Sequence, residues 1–218
     1  WSVHRGASVV LESAENITLR RLTYDQPGGN GLLLSKHVAD CTIESSLFFD
    51  AGESAIISMG RTDLFDGRRA GHSEYPTRNT IRSNLVDGVG VYGKQSATYF
   101  ASKSHGVVME NNAFLNGPRS AININDGFMG GDTFRQNLLV AWVKESADHG
   151  PINTWDRDPT LATDERSNAT LINPLPRTIA QNLIFSQCYW NCGMNGENSG
   201  GGHCIDHDDG SSSYDDVD

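Results

Sequence analysis

The chain has 218 residues, of which 37% are hydrophobic and 23 are glycine, and its formal net charge is −10. That length allows one domain with a substantial core, while the charge excludes an unassisted binder of nucleic acid or of an anionic membrane. No apolar run approaches about 18 residues, so no membrane span is expected, and the glycine-rich, weakly apolar balance suits a thin core wrapped by many turns.

Read in chain order, one short phrase recurs. It begins as Asn16-Ile17-Thr18-Leu19 and returns as Cys41-Thr42-Ile43-Glu44-Ser45-Ser46-Leu47-Phe48-Phe49 and Asn79-Thr80-Ile81-Arg82-Ser83-Asn84-Leu85-Val86. Further copies are Val107-Val108-Met109-Glu110-Asn111-Asn112-Ala113-Phe114, Thr133-Phe134-Arg135-Gln136-Asn137-Leu138-Leu139 and Thr178-Ile179-Ala180-Gln181-Asn182-Leu183-Ile184. Anchoring on Ile17, Ile43, Ile81, Val108, Phe134 and Ile179 gives steps of 26, 38, 27, 26 and 45 residues. The two long steps contain inserts near 59–78 and 144–176, rich in charged residues, Pro and Gly. Between the anchors lie short apolar runs such as Gly31-Leu32-Leu33-Leu34, Ala55-Ile56-Ile57-Ser58 and Ala121-Ile122-Asn123-Ile124.

A repeat of this size made of short strands marks a solenoid. The pattern predicts an all-β fold, a right-handed parallel β-helix with coils of about 24–28 residues, forming a single domain over 1–218. The handedness follows from the rule for parallel crossovers. Asn residues are expected to ladder at the bends. Residues 1–15 show no capping helix, and 214–218 read as an unfinished motif. The chain is therefore expected to be a segment of a longer one, or to have its ends covered by other segments or by copies of itself in a homo-polymer.

Four stretches carry chemistry: Tyr92-Gly93-Lys94-Gln95, Asn116 to Gly127, Asp148 to Asp158, and Asp206-His207-Asp208-Asp209-Gly210-Ser211-Ser212. Lys94, Arg119 and Asp126, on neighbouring coils, are expected to share one wall, with the insert holding His149 and Trp155 folded over it. Tyr92 or Trp155 would stack on a sugar ring, Lys94 or Arg119 would neutralise a uronate carboxylate, and Arg157 joins this substrate-binding set. Asp126, His149, Asp156 and His207 are the catalytic candidates, with Asp148, Asp206 and Asp208 as further acids, bases or cation ligands. A glycosidase needs two carboxylates across the scissile bond. A lyase or epimerase needs a base with a positive group or Ca²⁺ on the carboxylate, and Ca²⁺ is the one cofactor considered. No metal ligand set is assigned, because His203, Cys204 and His207 lack a second pair at zinc spacing. Simpler roles compete: Asp126-Gly127 and Asp209-Gly210 are turn dipeptides, Trp155 can plug the insert, and Arg119 and Arg157 can pair with neighbouring Asp residues.

The cysteines Cys41, Cys188, Cys192 and Cys204, with the sequons at Asn16 and Asn168, point to an extracellular or cell-surface glycoprotein with one or two disulfides.

At the four motifs the chain resembles a group of large eukaryotic and microbial right-handed β-helix proteins within the broad pectate-lyase-like superfamily, over about residues 16–212. The resemblance implies the fold and an extracellular, carbohydrate-related role. It carries no catalytic residues across, and the chain has no clear copy of the pectate-lyase Ca²⁺-and-Arg arrangement. The expected function is cleavage of a polysaccharide, by a glycosidase or a lyase, on the β-helix wall. The alternative is a non-catalytic structural or adhesive module of a larger surface or filament protein, or a module that holds glycans without cleaving them.

Overall fold

The computed structural model describes residues 4–61, 74–126, 128–146, 149–156, 162–164, 169–171, 175–186 and 203–217. Among them every regular element is a strand. The chain visits three parallel sheets in rotation. Sheet A stacks Ala7–Glu15, Asn30–Ala39, Ile56–Met59, Tyr99–Ser102, Ile122–Ile124, Ile152–Thr154 and Ile205–His207. Pro76–Thr77 pairs with the end of its second strand. Sheet B stacks Thr18–Arg20, Thr42–Glu44, Thr80–Arg82, Val108–Glu110, Thr133–Arg135, Arg177–Ala180 and Tyr214–Val217. Sheet C stacks Thr23–Asp25, Leu47–Phe49, Leu85–Asp87, Ala113–Leu115, Leu138–Val140 and Leu183–Phe185. Ala162–Asp164 and Ala169–Leu171 form a separate antiparallel pair. The arrangement is a parallel β solenoid, consistent with a β-helix.

The strands of sheets B and C are short because single residues in the left-handed region break them. Between B and C these are Arg21, Ser45, Ser83, Asn111, Gln136 and Gln181, with φ of 52–56°. Such a residue costs about 1–2 kcal/mol when it is not glycine. The residue after it repays that cost from Ser46 onward, in the series Ser46, Asn84, Asn112, Asn137 and Asn182. Asn112 accepts at Oδ1 from the Asn84 backbone N–H (3.0 Å) and the Asn84 Nδ2 (3.1 Å). Its own Nδ2 donates to the Ile81 carbonyl (3.0 Å) and to Asn137 Oδ1 (2.9 Å). Asn137 repeats the pattern with Met109 and Asn182. The corner thus closes its backbone hydrogen bonds through side chains, where no strand partner is available.

Inside the coil, residues in register form apolar columns: Leu19, Ile43, Ile81, Met109, Phe134 and Ile179 from sheet B, and Tyr24, Phe48, Val86, Phe114, Leu139 and Ile184 from sheet C. Tyr24 and Phe48 stack with centroids 4.2 Å apart. Each fully buried large side chain contributes roughly 1.5–3 kcal/mol. Trp142 is buried among them, and its Nε1 donates to the Phe114 carbonyl (2.9 Å). A Cβ on Gly117 would lie 1.9 Å from that indole, so only glycine fits there.

The pairing corrects two anchors of the sequence repeat. The inward residues are Leu19 and Met109, not Ile17 and Val108, and equivalent positions are 24, 38, 28, 25 and 45 residues apart. The stretch near 144–176 is not wholly an insert either. Its residues Ile152–Thr154 are a full strand of sheet A, so His149 and Trp155 belong to the wall and not to a lid over it.

Sheet B presents a solvated outer face, where Arg20, Glu44, Arg82, Glu110 and Arg135 alternate in charge and pair at 2.6–2.7 Å where bridged. Exposed pairs contribute little, about 0–1 kcal/mol. Replacing Asn112 with Ala leaves the buried Asn84 N–H without its acceptor and takes one partner each from the Asn84 amide, the Asn137 amide and the Ile81 carbonyl, and is expected to cost about 2–4 kcal/mol in urea unfolding. Arg135→Ala, on the solvated face, should cost under about 1 kcal/mol; equal costs for the two would mean that the ladder does not hold the corner.

Candidate functional site

The outer face of sheet A changes character along the stack. On the first coils it is apolar and covered: Leu33, Ile57, Met59, Ala97 and Phe100 form a second hydrophobic cluster, apart from the core. From Phe100 onward the same column continues in register as Asn123, Asn153 and Asp206. Strand alternation places these opposite the core residues Ile122, Ile124 and Ile152. The next outward positions are Asn125, Trp155 and Asp208, and the ladder runs on through them: Trp155 N–H donates to the Ile124 carbonyl and Asp208 N–H to the Thr154 carbonyl, both at 2.9 Å.

Three groups in this wall make chemistry available. Asn153 Nδ2 donates to Asp206 Oδ2 (3.0 Å), which fixes that carboxylate. His149 Nδ1 lies 3.9 Å from the same oxygen, with side chains only 8% and 16% exposed. An imidazole beside a held carboxylate is the arrangement of a positioned acid or base. Asn123 is wholly buried and neither Nδ2 nor Oδ1 has a hydrogen-bond partner; Asn125 Oδ1 is likewise buried and unmet. Asp206 lies in the strand Ile205–His207, whereas Asp208 follows its end and accepts the Asp209 N–H at Oδ1 (2.7 Å).

The residues expected from sequence are divided by the coil. His149 and Trp155 lie in this wall. His207, next to Asp206 but of opposite parity, turns to the core side: Nδ1 meets Thr154 Oγ1 (3.0 Å), Nε2 meets Asp216 Oδ2 (3.0 Å), and its ring packs on Tyr214. Asp156 is buried on that side too, near Tyr214, whose phenol is pushed up to about 12 chiefly by burial. Asp126 serves a turn, accepting from Ser102 Oγ (2.7 Å) and the Lys103 N–H (2.9 Å), and burial pushes its carboxyl up against those bonds.

Tyr92 and Lys94 sit at the corner between sheets C and A, the same corner that carries Arg119 and His149 on later coils. Tyr92 is 78% exposed, and Lys94 Nζ pairs with Glu145 (2.9 Å). Arg119 and His149 each stand three residues ahead of aligned strands, at the leading edge of sheet A. Arg157, Asn168, Cys188 and Cys192 lie outside the described residues. Asn16 is exposed in a left-handed turn. Cys41 is a free thiol in the core and Cys204 a free exposed one. Among the described residues no group of three or more His, Cys, Asp or Glu is arranged to hold a metal, and no helix is long and apolar enough to cross a membrane.

Sequence reasoning missed Asn123 and Asn153. The alternating run Ala121-Ile122-Asn123-Ile124 was the available signal, since an amide on the outward side of a buried strand has to be met by something. It also missed the core-side corner. There Asp132 Oδ1 accepts the Val107 N–H (2.9 Å) and Oδ2 accepts Arg177 Nε (3.0 Å). Arg177 is 1% exposed, lies over the Tyr214 ring, and has both Nη atoms unmet.

Compared with protein-family models, curated proteins and solved structures, the chain matches none.

Burial raises Asp132 to about 6, against the opposing pull of Arg177. Its folded value exceeds the unfolded one, so folding takes up a proton between about pH 4 and 6, and this group's contribution to stability falls as pH rises through that window. Asn79 fills the equivalent corner one coil before Val107, accepting the Cys41 N–H (3.0 Å). Asp132→Asn is therefore expected to fold and to flatten the decline in urea midpoint between pH 4 and 6; an unchanged pH profile would rule Asp132 out as its source.

Proposed function

We propose that this chain is an extracellular carbohydrate-active protein that cleaves a polysaccharide on the outer face of sheet A, with His149 and Asp206 as its acid–base pair. The observation that carries the reading is the polar column Asn123–Asn153–Asp206, in register on one wall with His149 beside its carboxylate. A solenoid wall suits a long linear substrate, because each coil adds one rung at about 4.8 Å. Amides and carboxylates meet sugar hydroxyls, and Trp155 offers a ring for a sugar's C–H face. Asp206, with Asp208 two residues on, offers the two carboxylates that a hydrolase uses. An imidazole beside a fixed carboxylate also suits proton abstraction by a lyase.

The finer features of the fold belong to the same proposal. The solenoid is right-handed, as parallel crossovers nearly always are, and belongs with the pectate-lyase-like proteins that its motifs resemble. An external setting is supported by the exposed sequon at Asn16. In this reading Tyr92 and Lys94, at the corner that also carries His149, contact the substrate, and His207 and Asp156 position the wall from behind.

The test is turnover on a panel of neutral and acidic polysaccharides, followed by reducing ends and by the ultraviolet absorbance of unsaturated uronates. Asp206→Asn and His149→Ala are each expected to lower kcat by about 10²–10⁴-fold while the circular dichroism stays unchanged. Full turnover in both variants would remove the pair from the mechanism. Binding without turnover in the native protein would favour the non-catalytic module, a reading to which the exposed apolar Leu183 (62%) and Phe185 (61%) on sheet C lend weight.

A further inference from the structure

We infer that the outer face of sheet C carries a groove that holds a neutral polysaccharide chain along the solenoid axis without cutting it. The groove lies on a different wall from His149 and Asp206 and uses none of the residues read as the cleavage machinery.

The outward positions of sheet C form two columns in register. One is Leu47, Leu85, Ala113, Leu138 and Leu183; the other is Phe49, Asp87, Leu115, Val140 and Phe185. Nine of these ten side chains are apolar, and all ten are exposed or half-buried. Parallel sheets are ordinarily covered on both faces, and an apolar face left in water marks a binding surface. Along its border with sheet B run the exposed left-handed residues Ser45, Ser83, Asn111 and Gln136. Between that bank of hydroxyls and amides and the leucine column lies an open groove of about 570 Å³. No charged or titratable side chain lines it, so it offers a ligand contacts but no acid or base.

Size and charge choose the occupant. Strands of three residues make the face roughly 10 Å wide, and five rungs make it roughly 20 Å long. That is roughly 200 Å², against about 800 Å² per partner in a stable protein interface. A second copy or a globular partner has too little to hold, whereas one extended chain matches the strip. A peptide strand gains no ladder there, because the sheet's backbone groups are spent on neighbouring rungs. An alkyl chain would desolvate the Asn111 and Gln136 amides without meeting them. A sugar chain meets both banks: its C–H faces pack on the leucines, and its hydroxyls donate to and accept from the serines and amides. A uronate chain would find no cation. The guanidinia on the adjoining face of sheet B, Arg82 and Arg135, are bridged to Glu44 and Glu110 at 2.7 and 2.6 Å, and the net charge of −10 opposes an anionic polymer.

The experiment is affinity gel electrophoresis of the whole chain in gels that hold soluble mixed-linkage glucan, glucomannan, xylan or polygalacturonate. At least one neutral polymer is expected to retard it most. Leu85→Glu/Leu138→Glu should lower that affinity by about tenfold or more, while Asp206→Asn leaves the retardation in place. Leu85→Ala/Leu138→Ala, which only trims the aliphatic bank, should weaken it too and serves if circular dichroism shows the Glu pair unfolded. Unchanged retardation in both groove variants, or polygalacturonate as the tightest ligand, overturns the inference. A native dimer in sedimentation that the Glu pair dissolves also overturns it, since a second copy would then be the occupant. Turnover without groove-dependent retardation removes the groove and leaves the cleavage reading standing; groove-dependent retardation without turnover does the reverse.

Discussion

The asparagine ladder at the corner between sheets B and C is the constraint on which the rest of this structure depends. A chain that must turn after three residues leaves backbone groups that no neighbouring strand can reach. One left-handed residue makes the turn, and the amide that follows takes over the missing hydrogen bonds from the coil before it. Because Asn84, Asn112, Asn137 and Asn182 each bind the next in the series, the coils are locked at one spacing and in one register. Once register is set, residues such as Asn123, Asn153 and Asp206, separated by tens of positions in sequence, become nearest neighbours on a wall.

The same register gives the faces of the solenoid different physics. Sheet B meets water with a ladder of alternating charges, which keeps an exposed parallel sheet soluble without adding much stability. The outer face of sheet A is covered first by apolar packing and then carries buried polar groups. Polar groups held away from water are costly, so their concentration on one wall is the strongest pointer to function in the molecule. The core-side corner, where Asp132, Arg177 and Tyr214 meet, is a second polar region with a different character. Its members mostly answer one another, and Asp132 does the backbone-capping work that Asn79 does two coils away.

One motif illustrates how structure and chemistry share a stretch of chain. In Asn116-Gly117-Pro118-Arg119-Ser120-Ala121-Ile122-Asn123-Ile124-Asn125-Asp126, the first part serves the turn. Asn116 takes the left-handed conformation, and Gly117 leaves room for the Trp142 ring. The last part holds the outward amides Asn123 and Asn125, and Asp126 then closes the strand by binding Ser102 and Lys103. The hydrogen bonds of Asp126 are those of a turn residue, as its Asp-Gly pair suggests.

The repeat, the all-β character, the laddered asparagines and the parallel stacking were legible in the sequence, because each coil reuses the same local solution: an apolar inward residue, a left-handed turn and an amide. The register was less legible by one or two residues, since Ile17 and Val108 are as β-prone as the true inward residues Leu19 and Met109. The strand Ile152–Thr154 was hidden by the polar, Pro-containing sequence around it, and only its pairing with Ile122–Ile124 reveals it. Sequence proximity also misled about the site. Asp206 and His207 are adjacent in the chain, yet alternation sends one to the outer wall and the other to the core side. Which groups share a face depends on strand parity and on stacking across coils, and both are set by tertiary pairing rather than by the residues' own chemistry.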